Sequence, residues 1–181
     1  MISLNEIENA YNAYSKEIFS YILRSVYDHD SAEDILQDVF IKLLHYSEKK
    51  EVHAGNIRAL LYSIARSVTI DALRTAARRK TESCDISAMP DTHNSHEEAS
   101  SGEIIDTVTR IIGSMGEPEK SIILFRQNGL TYNEISAVMK IPERTLKRKT
   151  RAIIENIRKT LQAEGFFISS DTKDSNESFN D

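Results

Sequence analysis

Residues 131–157 read TYNEISAVMKIPERTLKRKTRAIIENI. Thr131 and Glu134 have the spacing of a capping box, in which each side chain satisfies the other residue's backbone N–H. The spacing predicts a short helix to about Met139. Lys140 and Ile141 then make a tight turn, and Pro142 opens a long helix. At 100° per residue, Leu146, Thr150, Ile153 and Ile157 share one side of that helix. Arg144, Lys147, Arg148 and Arg151 fall within about 100° of one another on the other side. A capped helix, a turn and a second helix with a guanidinium-rich face make a helix-turn-helix, whose second helix enters the DNA major groove. Arg and Lys suit the role because they pair with phosphates and with guanine edges. A merely solvated basic face is the ordinary alternative, and the capped helix and short turn before the stripe count against it.

The positive charge is unexpected, because the 181-residue chain carries a formal net charge of -5. Divided by segment, the charge alternates: net -5 over 1–56, +5 over 57–80, -7 over 81–120, +6 over 121–161 and -4 over 162–181. Two basic blocks among three acidic ones suggest more than one kind of partner. The single cysteine, Cys84, excludes an intrachain disulfide and fits a reducing compartment. No apolar run approaches the roughly 20 residues that span a bilayer. The N-terminus MISLNEIENAY lacks the basic and apolar regions of a secretory signal. The expectation is a cytoplasmic protein with no membrane insertion.

Outward from the motif, the pattern stays helical. Ile7, Tyr11, Tyr14, Ile18, Tyr21 and Ile22 form one stripe. Ser31 is the expected N-cap of a second helix that carries Ile35, Leu36, Val39, Phe40, Leu43 and Leu44. Tyr46 to Asn56 reads as a loop. A third helix starts at Ile57 and runs into Arg78, Arg79 and Lys80. Residues 81–103 hold six acids and no Lys or Arg, a linker by composition. Beyond it come Ile104 to Met115, a short helix with Pro118 in its first turn, and Asn128-Gly129 ending that helix. Residues 165–181 form a polar tail expected to fray. The fold class is therefore all-α: a helical domain at 1–80, an acidic linker at 81–103, a second helical domain at 104–164 and the tail.

These residues carry a family resemblance. GLTYNEISAVMKIPERTLKRKTRAIIENIR resembles region 4 of bacterial sigma factors of the extracytoplasmic-function (ECF) type. SAEDILQDVFIKLL resembles their region 2.2, and NIRALLYSIARSVTIDALRTAARR their regions 2.3–2.4. The match covers roughly residues 5–161, in the family's order. Some positions depart from its pattern. Leu44 and Leu60 stand where Trp is frequent, and Ser67 replaces a common Asn. Thr150 sits where an apolar residue is usual, Arg148 replaces a small one, and Arg151-Ala152 comes one place early. The base-reading face is therefore not the common one.

The resemblance implies a sigma factor that gives core RNA polymerase its promoter specificity and performs no covalent chemistry. Asp34, Gln37 and Asp38 would dock on the clamp helices of the polymerase β′ subunit, with the β flap a second contact; a merely solvated polar face is the ordinary alternative. Tyr46, Asn56, Arg58, Tyr62, Arg66, Arg74, Arg78 and Arg79 would handle the −10 element, the arginines on phosphates and Tyr62 either stacking on a base or simply half-buried. Arg144, Lys147, Arg148 and Arg151 would read the −35 duplex, with Thr145 and Lys149 on phosphates. The linker would pass through polymerase channels, either mimicking RNA or acting as a plain tether. An anti-sigma factor is the implied regulatory partner, and the free chain is expected to be a monomer without cofactors. His93 and His96 have ligand spacing but are too few for a metal site. No phosphate loop or nucleophile motif points to an enzyme. One alternative is a stand-alone helix-turn-helix regulator, which would leave the 31–80 motifs unexplained; another is a sigma-like decoy that holds core polymerase without opening promoters.

Overall fold

The computed structural model describes residues 4–49, 57–82 and 99–166. Among them are seven helices: α1 (Leu4–Val26), α2 (His29–Lys49), α3 (Ile57–Glu82), α4 (Ala99–Ser114), α5 (Glu119–Gln127), α6 (Tyr132–Met139) and α7 (Glu143–Ala163). The chain divides into two compact units, one holding α1–α3, the other α4, α5, the start of α6 and α7.

In the N-terminal unit α1, α2 and α3 pack pairwise. Ile18 and Ile22 of α1, Val39 and Leu43 of α2, and Leu61 and Ala65 of α3 are fully out of solvent. Each pair is four residues apart, which places it on one helical face. Burying the isoleucine, leucine and valine side chains contributes roughly 1.5–3 kcal/mol each, the main favourable term in a bundle of this size. Arg58 ties α3 to α1 by donating to both carboxylate oxygens of Glu17, at 3.0 and 3.3 Å.

The cap of α2 differs from the expectation. The chain leaves α1 through Tyr27 in the left-handed region (φ 58°). Asp28 then precedes the helix, and its Oδ2 accepts the Ser31 N–H at 2.9 Å. Asp28 is the N-cap, and Ser31 is the third residue of the helix. The Ser31 hydroxyl and N–H both stabilise the Asp28 carboxylate, holding its pKa below the usual range. Two boundaries also move. Tyr46 to Lys49 are helical rather than loop, and residues 50–56 lie outside the described residues. Thr81, Glu82 and residues 99–103 are helical, so only the middle of the expected linker, 83–98, falls outside the description. Polar residues such as Glu48 and Lys49 are good helix formers, and composition alone does not separate an exposed helix end from a loop.

In the C-terminal unit α5 buries Ser121 to Phe125. Its end is closed by Gly129 at φ 77°, with the Leu130 N–H reaching the Phe125 carbonyl at 3.0 Å. That left-handed turn favours glycine because it has no Cβ to clash. The capping box of α6 forms as expected. Thr131 N–H donates to Glu134 Oε2 at 2.7 Å, and Glu134 N–H to Thr131 Oγ1 at 3.2 Å. The turn before α7 carries Lys140 at φ 56°, an uncommon conformation for a residue with a Cβ. Pro142 is the N-cap of α7, one residue earlier than the first helical position. α7 buries Leu146, Thr150, Ile153 and Leu161. Arg110 of α4 donates to both oxygens of Glu164 at 2.6 and 2.7 Å, fixing the far end of α7.

Thr150 is 5% exposed, and its Oγ1 has no hydrogen-bond partner among the described residues. A buried unsatisfied hydroxyl costs about 1–3 kcal/mol. Thr150→Val keeps the shape and removes the orphan group. We expect it to stabilise the C-terminal unit by about 1 kcal/mol, an upward shift of roughly 4–8 °C in that unit's calorimetric transition. An unchanged or lower transition would show that the hydroxyl contributes.

Candidate nucleic-acid interface

The cationic stripe of α7 is where the sequence places it. Arg144, Lys147, Arg148 and Arg151 are all exposed, while Leu146, Thr150 and Ile153 face the core. From Arg144 to Arg151 the stripe runs roughly 10 Å along the helix, close to the width of a B-DNA major groove, about 12 Å. Thr145 is half-buried beside it. Lys149 lies on a different side. Its Nζ meets Glu119 Oε1 of α5 at 2.6 Å, so in this fold Lys149 holds α7 against α5.

Two residues beyond the expected set join this surface. The Tyr132 ring, at the first position of α6, lies 4.5 Å from the Arg126 guanidinium carbon and 5.5 Å from Lys147 Nζ. Arg126 also donates to the Leu130 carbonyl at 2.7 Å. One aromatic ring thus gathers a cation from α5 and a cation from α7 by cation–π attraction. The sequence held a signal for this: Arg126 and Tyr132 flank the glycine turn, six residues apart. Periodicity alone gives no reason to bring Arg126 to α7. Asn133 Nδ2 donates to Glu143 Oε1 at 3.2 Å, a further link across the turn.

The expected −10 residues do not gather on one face. Tyr46 is exposed on the last part of α2, and Asn56 lies outside the described residues. Arg58 is committed to Glu17. Tyr62 is 0% exposed, and its ring packs edge-on against Tyr21 at 5.9 Å. The expectation that Tyr62 stacks on a base meets a side chain built into the core. Arg66 is half-buried. Arg74 is exposed and 3.8 Å from Asp71, and Arg78 and Arg79 are exposed on the same stretch of α3. Arg74 and Arg78, four residues apart, share a face.

Asp34, Gln37 and Asp38 are exposed together on α2, opposite Ile35 and Val39. Ile41, 49% exposed, follows them on the same face. No helix among the described residues is long and apolar enough to cross a membrane.

Residues 10–79 match the sigma-70 region 2 family. The chain is similar to the ECF RNA polymerase sigma factor SigM of Bacillus subtilis, 24% identical over 142 residues, 78% of this chain and 86% of the relative. It is 28% identical over 167 residues to the RNA polymerase sigma-H factor of Pseudomonas aeruginosa, 82% of each chain. It is 25% identical over 156 residues to the ECF sigma factor SigL of Mycobacterium tuberculosis, 86% of this chain and 88% of the relative. Among solved structures, the fold resembles that of the sigma factor RpoE in complex with the anti-sigma factor NepR from Bartonella quintana. The TM-score is 0.66 at 17% identity, covering 88% of this chain and 98% of that one.

The Lys149–Glu119 pair should make the C-terminal unit sensitive to acid. The hydrogen bond from Lys149 holds the Glu119 carboxyl below its ordinary pKa. A depressed folded-state pKa contributes stability that is present above the unfolded value and lost as pH falls through the folded one. Denaturant titrations of the wild type and Glu119→Gln should therefore differ at pH 7 and converge as the pH falls through and below the ordinary glutamate range. A constant difference would exclude the pair as its source.

Proposed function

Residues 10–79 belong to the sigma-70 region 2 family and the chain is an RNA polymerase sigma factor of the ECF type, directing transcription initiation; from that premise we propose that its two units divide promoter recognition between them. The observation that carries the proposal is the exposed stripe Arg144, Lys147, Arg148 and Arg151 on a helix whose other face is buried. In this reading α7 enters the major groove of the −35 element. Its guanidinium groups reach base edges, and Lys147, Arg126 and Tyr132 meet the phosphate backbone. Thr145 contributes a lesser phosphate contact. Lys149 acts by positioning α7 through Glu119.

The N-terminal unit would handle the −10 element and the polymerase. Arg74, Arg78 and Arg79 are the cations best placed to follow a phosphate backbone, and Tyr46 and Asn56 flank the stretch proposed to take an unstacked base. Arg66 is a secondary contact, and Arg58 a support for the helix that carries the others. The exposed face of Asp34, Gln37 and Asp38 would dock on core polymerase, where carboxylates and an amide can accept bonds from arginine. An anti-sigma factor is the proposed regulatory partner, as in the complex of the structurally similar RpoE.

The test is to add the purified protein to core RNA polymerase and to map the 5′ ends of transcripts from genomic DNA. Discrete start sites sharing −35 and −10 elements are expected. Transcripts no different from core alone, with no co-elution with core, would sink the proposal and leave a DNA-binding regulator. Within that assay Arg144→Ala and Arg148→Ala should relax −35 preference, each lost bidentate contact costing about 1–3 kcal/mol. Unchanged preference would mean that another face reads the DNA. Asp34→Arg with Asp38→Arg should abolish co-elution with core while leaving the helical circular-dichroism spectrum intact. Normal co-elution would remove α2 from the docking surface.

A further inference from the structure

The cationic face of α7 has a counterpart within the same chain. The fifteen residues after Phe166 read FISSDTKDSNESFND. They carry Asp171, Asp174, Glu177 and Asp181 against the single cation Lys173, a net charge of -3. Arg144, Arg148 and Arg151 are exposed, and among the described residues no carboxylate pairs with any of them. We propose that residues 167–181 dock along this face of α7 and compete with DNA for it.

The point at which the segment leaves the fold favours this occupant. α7 ends with Gly165 at φ 89°, and the Phe166 N–H reaches back to the Leu161 carbonyl at 3.0 Å. The left-handed turn takes the chain off the helix axis beside the last turn of α7. Counted back from Gly165, Arg151 lies roughly 21 Å along the helix, Lys147 roughly 27 Å and Arg144 roughly 32 Å. An extended chain gains about 3.3 Å per residue, so Asp171 reaches roughly 20 Å and Asp174 roughly 30 Å. The first two acids of the segment thus come level with Arg151 and with the Lys147–Arg144 pair. Glu177 and Asp181 have length to spare. Tethering sets the local concentration of the segment near the millimolar range, so even weak contacts compete with a dissolved ligand.

The docking and the competition are tested separately, since the second rests on reading α7 as a DNA-binding helix. Carbodiimide joins a carboxylate to a lysine amine where the two touch. In the dilute full-length protein at low salt, peptide mapping of the monomer band should find Lys147 joined to Asp171 or Asp174. The link should disappear at about 0.5 M salt, where charges are screened within a few Å. Absence of the link at low salt overturns the proposal. Links confined to a dimer band assign the face to a second copy and overturn it equally. For the competition, a fluorescent 20-base-pair duplex is titrated with three proteins at low salt. They are the full chain, the chain ending at Phe166, and the variant Asp171→Asn/Asp174→Asn/Glu177→Gln/Asp181→Asn. Both altered proteins should bind about tenfold tighter than the full chain. Equal affinities overturn the competition. Monomer links in a protein that binds no duplex in any of the three forms would uphold the docking and defeat the DNA-binding reading of α7.

Discussion

Burial of one narrow stripe on α7 is the constraint on which the rest of the C-terminal unit depends. Leu146, Thr150, Ile153 and Leu161 face inward, and this fixes the rotation of the helix about its own axis. Once that is fixed, Arg144, Lys147, Arg148 and Arg151 have nowhere to go but outward. A helix with so many cations has little reason to be stable alone, since like charges three and four residues apart repel. Packing against the rest of its unit offsets that repulsion. Three polar links then hold α7 along its length: Glu143 to Asn133 at its start, Lys149 to Glu119 a turn and a half further on, and Glu164 to Arg110 just past its end. They add directional restraints to the rotation that burial of the apolar face already sets.

The N-terminal unit solves a similar problem with a different result. Its three helices bury an aliphatic core and leave the acidic ridge of α2 outside. The same chain therefore presents a negative face on one unit and a positive face on the other. A net charge of -5 hides both. The ridge also holds Ile41, an exposed aliphatic residue among carboxylates. An apolar residue of that kind adds contact area at the centre of an interface, while surrounding charges set orientation.

Much of this was legible in the sequence. Helical periodicity identified the helices, because a stripe that must be buried repeats every three or four residues whatever it packs against. The capping box at Thr131 and Glu134 and the glycine turn at Gly129 were legible because their hydrogen bonds are local. The inward and outward sides of α7 followed from the same periodicity. Boundaries were less legible. Ser31 has the right chemistry for an N-cap, yet the left-handed exit of the chain at Tyr27 gave that position to Asp28. Propensity cannot rank two good caps three residues apart.

What the sequence determined by itself was the helical class, the charge blocks and the two faces of α7, all consequences of local periodicity and composition. What only the tertiary structure decided was which charged and aromatic residues remain available. Arg58 and Lys149 each look like a phosphate contact in the sequence, but each meets a carboxylate distant in the chain, Glu17 and Glu119. Tyr62 looks like a base stacker and is core. Tyr132 looks like part of a cap and gathers two cations. In each case the deciding partner lies on another helix, and the pairing depends on how helices pack, which no local pattern encodes.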